Sequence, residues 1–246
     1  MKEFPGEFAD LLTPYGLRIL NGKVETACSL FNGAGNYFAS FERVIDRKKA
    51  DLCLQSLDQR LYEFLAPERH AIPPDSITGM KSNYSESLSK VMRMKTAFFL
   101  KKTARSYKAA ESIGLLRMMR SESLARFAEV ITGYRLHRDW DVQATCYEHG
   151  DYVGPHNDHH PESEWLRRGF IDLHIMFAND AVAHQYLVYE QNGHLSKLVD
   201  VNKQGAVSIY KLPFWHYTTP LVGKRTREKE ARRWLLLGSF VIVDDR

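Results

Sequence analysis

The residues best able to do chemistry lie in one stretch, Cys146-Tyr147-Glu148-His149-Gly150-Asp151-Tyr152-Val153-Gly154-Pro155-His156-Asn157-Asp158. It ends in H-x-D. In an extended segment, side chains two apart project to the same side, so His156 and Asp158 are expected to stand together while Asn157 points away. One neutral imidazole and one carboxylate make two-thirds of the 2-His-1-carboxylate set that holds non-haem Fe(II) and leaves coordination positions open. The best second histidine is His216. It follows a strand-like run at 205–212 and sits in Trp215-His216-Tyr217-Thr218-Thr219-Pro220. A histidine at a strand end can return to the H-x-D in a closed antiparallel sandwich. Such a set neutralises only one charge of Fe(II), and the metal stays Lewis-acidic.

A second feature is an arginine pair opening an apolar run, Arg232-Arg233-Trp234-Leu235-Leu236-Leu237. An arginine entering such a strand is costly unless it meets an anion. Its planar fork suits a carboxylate in two-point contact. Arg233 shares a face with Leu235 and Leu237, and Arg232 with Trp234 and Leu236. Arg233 is taken as the inward one and Arg232 as its alternative, with Arg225 and Arg227 more distant. Tyr152, His159, His174 and Trp215 are candidates for substrate contact. For His159, as for His149 and His160, the competing reading is an exposed loop histidine. For His174 it is a satisfied core histidine, and for Trp215 simple packing.

These residues need elements to position them. The chain has 246 residues, 44% apolar and 26% charged, enough for one large domain with a substantial core. No run is long enough to span a membrane, and Met1-Lys2-Glu3-Phe4-Pro5 lacks a signal-peptide pattern. Cys28, Cys53 and Cys146 form no C-x-x-C, so neither a thiolate zinc site nor a disulfide framework is indicated, and a reducing cytoplasm is the natural reading.

Apolar spacing predicts helices over 46–65, 84–112 (capped at Ser85 or Ser87) and 121–133, the last stopped by Gly133. The scattered Met92, Met94, Met118 and Met119 read as core filler. Beyond Gly133 the texture changes to short β-type runs at 141–147, 169–177, 185–190, 206–212 and 233–243, separated by turn residues. The expected plan is α+β, with a mainly helical region 1–133 packed on a β-rich core 134–246 of the jelly-roll or cupin class.

Net charge is +4, but 81–126 carries a local excess of eight positive charges. This region reads as a solvated helical face, with nucleic acid as the alternative partner.

Taken together, Ile131-Thr132-Gly133, Tyr147-x-x-Gly150-Asp151-Tyr152-x-x-x-His156-x-Asp158, Gly205-Ala206-Val207 leading to Trp215-His216-x-x-x-Pro220, and Arg233 resemble the 2-oxoglutarate- and Fe(II)-dependent oxygenases, nearest the prolyl-hydroxylase-like branch. The resemblance covers roughly residues 124–243. It implies a double-stranded β-helix, iron held by His156, Asp158 and His216, and the distal carboxylate of 2-oxoglutarate on Arg233. It also implies a hydrogen bond from Tyr147 to that cosubstrate.

The implied reaction consumes O2 and 2-oxoglutarate, hydroxylates an unactivated C–H, and releases succinate and CO2. Related halogenases have a small residue in place of the carboxylate, so Asp158 implies hydroxylation. Two departures stand out. The strand after the H-x-D reads His184-Gln185-Tyr186-Leu187-Val188-Tyr189-Glu190 where many members have Gly-Gly-Glu-Leu, and the charged loop 220–232 is long. The expected substrate is a small molecule such as an amino acid or derivative. The alternatives are a macromolecular substrate gripped by 81–126, or a metal-binding jelly-roll that is not an oxygenase.

Overall fold

The computed structural model describes residues 4–28, 31, 36–72, 91–158, 169–191 and 193–244. Six α-helices occur among them: α1 (Pro14–Leu20), α2 (Glu25–Cys28), α3 (Arg47–Arg60), α4 (Arg105–Ser112), α5 (Leu115–Met119) and α6 (Glu122–Thr132). The strands are β1 (Phe38–Phe41), β2 (Ala66–Ala71), β3 (Val91–Phe98), β4 (Arg135–Leu136), β5 (Asp141–Glu148), β6 (Tyr152–Val153), β7 (Phe170–Ala178), β8 (Val182–His184), β9 (Tyr186–Gln191), β10 (His194–Asp200), β11 (Val207–Leu212), β12 (His216–Thr218), β13 (Val222–Gly223) and β14 (Arg232–Asp244).

The main sheet runs β1-β11-β7-β14-β5-β3-β2 and is antiparallel throughout. A smaller sheet, β10-β9-β12, completes the double-stranded β-helix. Strand alternation divides the main sheet into two faces. One packs the helices, through Trp234, Leu236, Ile171, Leu173, Ile175, Val207 and Ile209, in a single core cluster that also includes Phe8, Leu57, Phe127 and Ile131. The other carries Leu235, Tyr147, Met176 and Tyr210 into a second cluster shared with Leu187 and Phe214 of the smaller-sheet side, and the buried Arg233 shares this face.

Local chemistry fixes the helix ends. Thr13 caps α1 by accepting from Gly16 N at 3.1 Å, with Pro14 as the first helical residue. Asp46 caps α3 by accepting from Lys49 N at 3.1 Å. Gly133 ends α6 at φ 73°, a left-handed conformation that a side chain would oppose. Ser121 starts that helix, but its hydroxyl accepts from Phe8 N at 3.1 Å and so ties the N-terminal segment to α6.

Two expectations need correction. The proposed helix over 84–112 is a strand, β3, followed by the shorter helix α4; Ser85 and Ser87 lie outside the described residues. Met92, Met94, Thr96 and Phe98 alternate with Arg93, Lys95 and Ala97, a period of two, and pairing with β5 and β2 supplies what local helical spacing could not. The region before residue 133 is thus helical but also contributes β1, β2 and β3 to the main sheet. Likewise the helix from 46 stops at Arg60, and residues 66–71 are strand.

The basic region is therefore not one helical face. Among the described residues its cations divide between β3, where Arg93 pairs with Asp151 and Lys95 with Glu148, the connection after it, which carries Lys101 and Lys102, and the helical segment from Arg105 to Thr132. No helix among the described residues is long and apolar enough to cross a membrane.

Candidate metal centre and active-site cavity

His156, Asp158 and His216 converge, with candidate ligand atoms all within 4.8 Å of one another. The convergence begins in the backbone. His156 and His216 form an antiparallel bridge, His156 N donating to His216 O at 3.0 Å and His216 N to His156 O at 2.9 Å. Their rings lie 4.3 Å apart.

Asp158 arrives by a route that strand alternation did not predict. Its φ is 51°, a left-handed turn that brings the carboxylate back to the histidines after the single bridge at His156. Asp158 Oδ1 stands 3.4 Å from His156 Nε2, and Oδ2 stands 3.5 Å from His216 Nε2.

Each ring is held through its other nitrogen. His156 Nδ1 lies 2.7 Å from Gly154 O, and His216 Nδ1 lies 2.9 Å from Phe214 O. Only a protonated Nδ1 satisfies a carbonyl, so the Nε2 lone pairs face inward, as metal ligation requires. Burial, reinforced by the neighbouring His156, pushes the His216 pKa down to about 3, so this ring stays neutral. Burial also opposes charge on His156, but the adjacent Asp158 carboxylate outweighs it and raises its pKa. Two neutral-capable imidazoles and one carboxylate fit a divalent iron and not a soft thiolate-preferring metal.

The triad lines a cavity of about 550 Å³ between the two sheets, open toward the exposed Phe98 and Leu100. Arg233 also lines it and is 3% exposed. Its Nε donates to Val201 O at 2.7 Å and its Nη1 to Gln185 Oε1 at 3.1 Å. Gln185, fully buried, is itself held by donating to Thr219 O at 3.0 Å. Arg233 Nη2 has no hydrogen-bond partner among the described residues, so a buried cation presents donors to the cavity. Burial holds its pKa below the usual arginine range. A carboxylate is the group this arrangement accepts best.

Arg232 points the opposite way. It packs over the Tyr62 ring at 3.8 Å and lies 3.7 Å from Asp58 and 3.8 Å from Glu148, on the helix-covered side. Arg227 pairs with Asp180 and Glu230, and Arg225 is exposed.

Tyr147 lies directly across from Arg233, its ring 5.2 Å from the guanidinium, and burial pushes its phenol up to about 12, keeping the hydroxyl a donor. His174 lines the cavity; Tyr152 and Trp215 are not among the lining residues. His159 lies outside the described residues.

Three contributors escaped the sequence reading. Gln185, between β8 and β9, braces Arg233, and nothing in a lone glutamine signals this. Tyr210 stands 5.5 Å from the His216 ring. Asp172 is a buried carboxylate on a central strand that is apolar apart from it and His174, and that contrast was a readable signal.

No family model matches the sequence, and comparison with curated proteins finds no match. Solved structures do resemble it. One is a prolyl hydroxylase from Trichoplax adhaerens in complex with a hypoxia-inducible-factor peptide fragment: TM-score 0.52, 14% identity, covering 93% of this chain and 94% of that one. Another is an oxidoreductase of the 2OG-Fe(II) oxygenase family from Burkholderia pseudomallei: TM-score 0.54, 11% identity, 88% and 90% covered. A third is the non-haem alpha-ketoglutarate-dependent epimerase SnoN from nogalamycin biosynthesis: TM-score 0.55, 10% identity, 88% and 82% covered. The chain has the double-stranded β-helix fold of the 2-oxoglutarate/Fe(II) oxygenases, and His156, Asp158 and His216 come together in it as a set of side chains that could hold a metal ion.

Proposed function

We propose that the chain is an Fe(II)- and 2-oxoglutarate-dependent dioxygenase that hydroxylates an unactivated C–H of a small molecule. The observation that carries this is the shared cavity. A two-histidine and carboxylate triad and a buried, incompletely paired arginine line the same cavity.

His156, Asp158 and His216 would hold iron, and Arg233 would bind the distal carboxylate of 2-oxoglutarate with Tyr147 donating beside it. Bound together with O2, iron and 2-oxoglutarate supply an oxidation of C–H coupled to formation of succinate and CO2. The chain's own share is positioning. The Gly154 and Phe214 carbonyls fix the ring tautomers. Gln185 and Val201 fix the Arg233 fork. The apolar walls, including Met92, Met94, Leu235 and Leu237, limit water around the reacting centre. A cavity of this size, with mainly apolar walls, supports a small-molecule substrate.

The test is succinate formation that requires Fe(II), rises with a candidate metabolite, and disappears in His156→Ala. Anaerobic addition of Fe(II) and 2-oxoglutarate should also give a weak visible charge-transfer band. Absence of 2-oxoglutarate binding by the iron-loaded protein would leave a metal-binding jelly-roll as the surviving reading.

One observation favours a macromolecular substrate as the second reading. Phe98 and Leu100 at the cavity rim are 55% and 68% exposed, and Lys101 and Lys102 follow them. Binding of DNA or RNA that weakens steeply with salt would support it.

A further inference from the structure

Apart from the triad and Arg233, the cavity holds another buried ionisable group. Asp172, the third residue of β7, is 7% exposed and lines the cavity. Its cross-strand neighbours are Tyr210 on β11 and Ser239 on β14. Oδ2 stands 3.9 Å from His174 Nε2, and Oδ1 has no hydrogen-bond partner among the described residues. Asp172 makes no salt bridge to lysine or arginine among them. A carboxylate so placed is costly to bury, and burial raises its pKa. The strand around it is otherwise apolar apart from His174, and the polar side chains that face Asp172 are His174 and Ser239.

Its location suits recognition. The Tyr210 ring stands between His174, at 4.2 Å, and His216, at 5.5 Å, so the acid is about one ring away from the triad. Arg233 and Ser239 point into the same cavity from β14, separated by roughly 20 Å of extended chain. The cavity therefore has a cationic end at Arg233 and an anionic station at Asp172. Between and around them stand Leu235, Leu237, Phe240 and Val241.

We propose that Asp172 is the specificity-determining residue of this cavity, receiving a protonated amine or guanidinium of a substrate whose body is apolar. The proposal rests on the oxygenase reading above, which makes this cavity the place where substrate sits. A cation on Oδ1 supplies the missing hydrogen bond and offsets the buried charge in one contact. It also fixes the substrate at one point beside the triad, which is what selects a single C–H for reaction. Ser239, opposite on β14, and His174 complete the receptor.

The test uses the full chain loaded with Zn(II) and 2-oxoglutarate, titrated calorimetrically with n-butylammonium, n-butylguanidinium and n-butanol. The two cations are expected to bind at least about ten-fold tighter than the alcohol, and Asp172→Asn to erase that preference. Ser239→Lys, which supplies Asp172 with an internal ammonium, should erase it as well and serves if Asp172→Asn does not fold. Equal binding of the alcohol, or a preference that survives either folded variant, overturns the proposal. Failure of Zn(II) and 2-oxoglutarate to bind at all sinks the oxygenase reading and this proposal with it, whereas successful loading without a cation preference sinks this proposal alone.

Discussion

His156 and His216 exchange both of their backbone hydrogen bonds, at 3.0 and 2.9 Å, while their rings sit 4.3 Å apart. The metal-facing nitrogens are thus placed by main-chain pairing before any metal arrives. Residues sixty apart in sequence are locked in register by an isolated bridge joining the segment after β6 to the start of β12.

This pairing predicts that loss of one ligand spares the fold and removes the metal. His216→Ala should retain a cooperative melting transition, because the bridge uses only backbone atoms. Its Zn(II) or Fe(II) affinity should fall by more than the roughly 10–100-fold typical of losing an outer-shell partner. Metal stoichiometry by calorimetry or elemental analysis checks this, and near-stoichiometric metal in His216→Ala would remove the histidine from the ligand set.

The adjacent arginines should separate cleanly. Arg233→Ala removes the cavity cation and should weaken 2-oxoglutarate binding by about 2–5 kcal/mol, roughly 30-fold or more. Arg232→Ala leaves the cavity untouched and should alter that affinity less than about two-fold. It loses only the Tyr62 contact and partly exposed ion pairs, about 0.5–1 kcal/mol of stability. Calorimetric titration of 2-oxoglutarate into both metal-loaded variants decides, and the reverse ranking would make Arg232 the anchor.

Much of the site was legible because it depends on residue type and order. His156, Asp158 and His216 announce themselves by chemistry, and Arg233 by its entry into an apolar strand, where alternation separates it from Arg232 without fixing which of the two faces inward. What was hidden depends on tertiary pairing. The strand Val91–Phe98 has apolar residues at spacings that a helix also accepts, and only its partners on β5 and β2 decide between them. The left-handed turn at Asp158 was equally invisible: alternation gave the right neighbour for the wrong reason. Gln185 matters only because folding carries it to Arg233, forty-eight positions away.

The outer face of β14 is tied to α3 by Trp234, whose Nε1 donates to Asp58 Oδ1 at 2.8 Å. Trp234 is completely buried, and Asp58, whose pKa burial raises, depends on that donor and on Arg232 for compensation. Trp234→Phe keeps most of the apolar volume and removes the donor. It should cost about 2–3 kcal/mol, roughly 5–10 °C in Tm for a chain of this size. A urea midpoint unchanged from wild type would show that Asp58 finds another donor.

Glu129 and Arg138 give a pH signature far from the cavity. Arg138 Nη1 and Nη2 donate to the Glu129 carboxylate at 2.8 and 3.0 Å, and Leu136 N donates to it at 3.0 Å. Burial pushes the Glu129 pKa up, but these donors outweigh it and hold the value below the ordinary 4.5. A carboxylate whose pKa is lower in the folded than in the unfolded chain binds fewer protons folded, so it stabilises the fold above the unfolded value. That contribution fades as pH falls through the folded one. Because Arg138 is 46% exposed, solvent screening limits the effect to about 1 kcal/mol at neutral pH. Glu129→Gln should therefore lower the unfolding free energy by about that amount at pH 7. The difference from wild type should shrink as pH drops below about 4.5. Denaturant titrations of both proteins across that range check the sign, and a gap that widened toward acid would reverse the assignment.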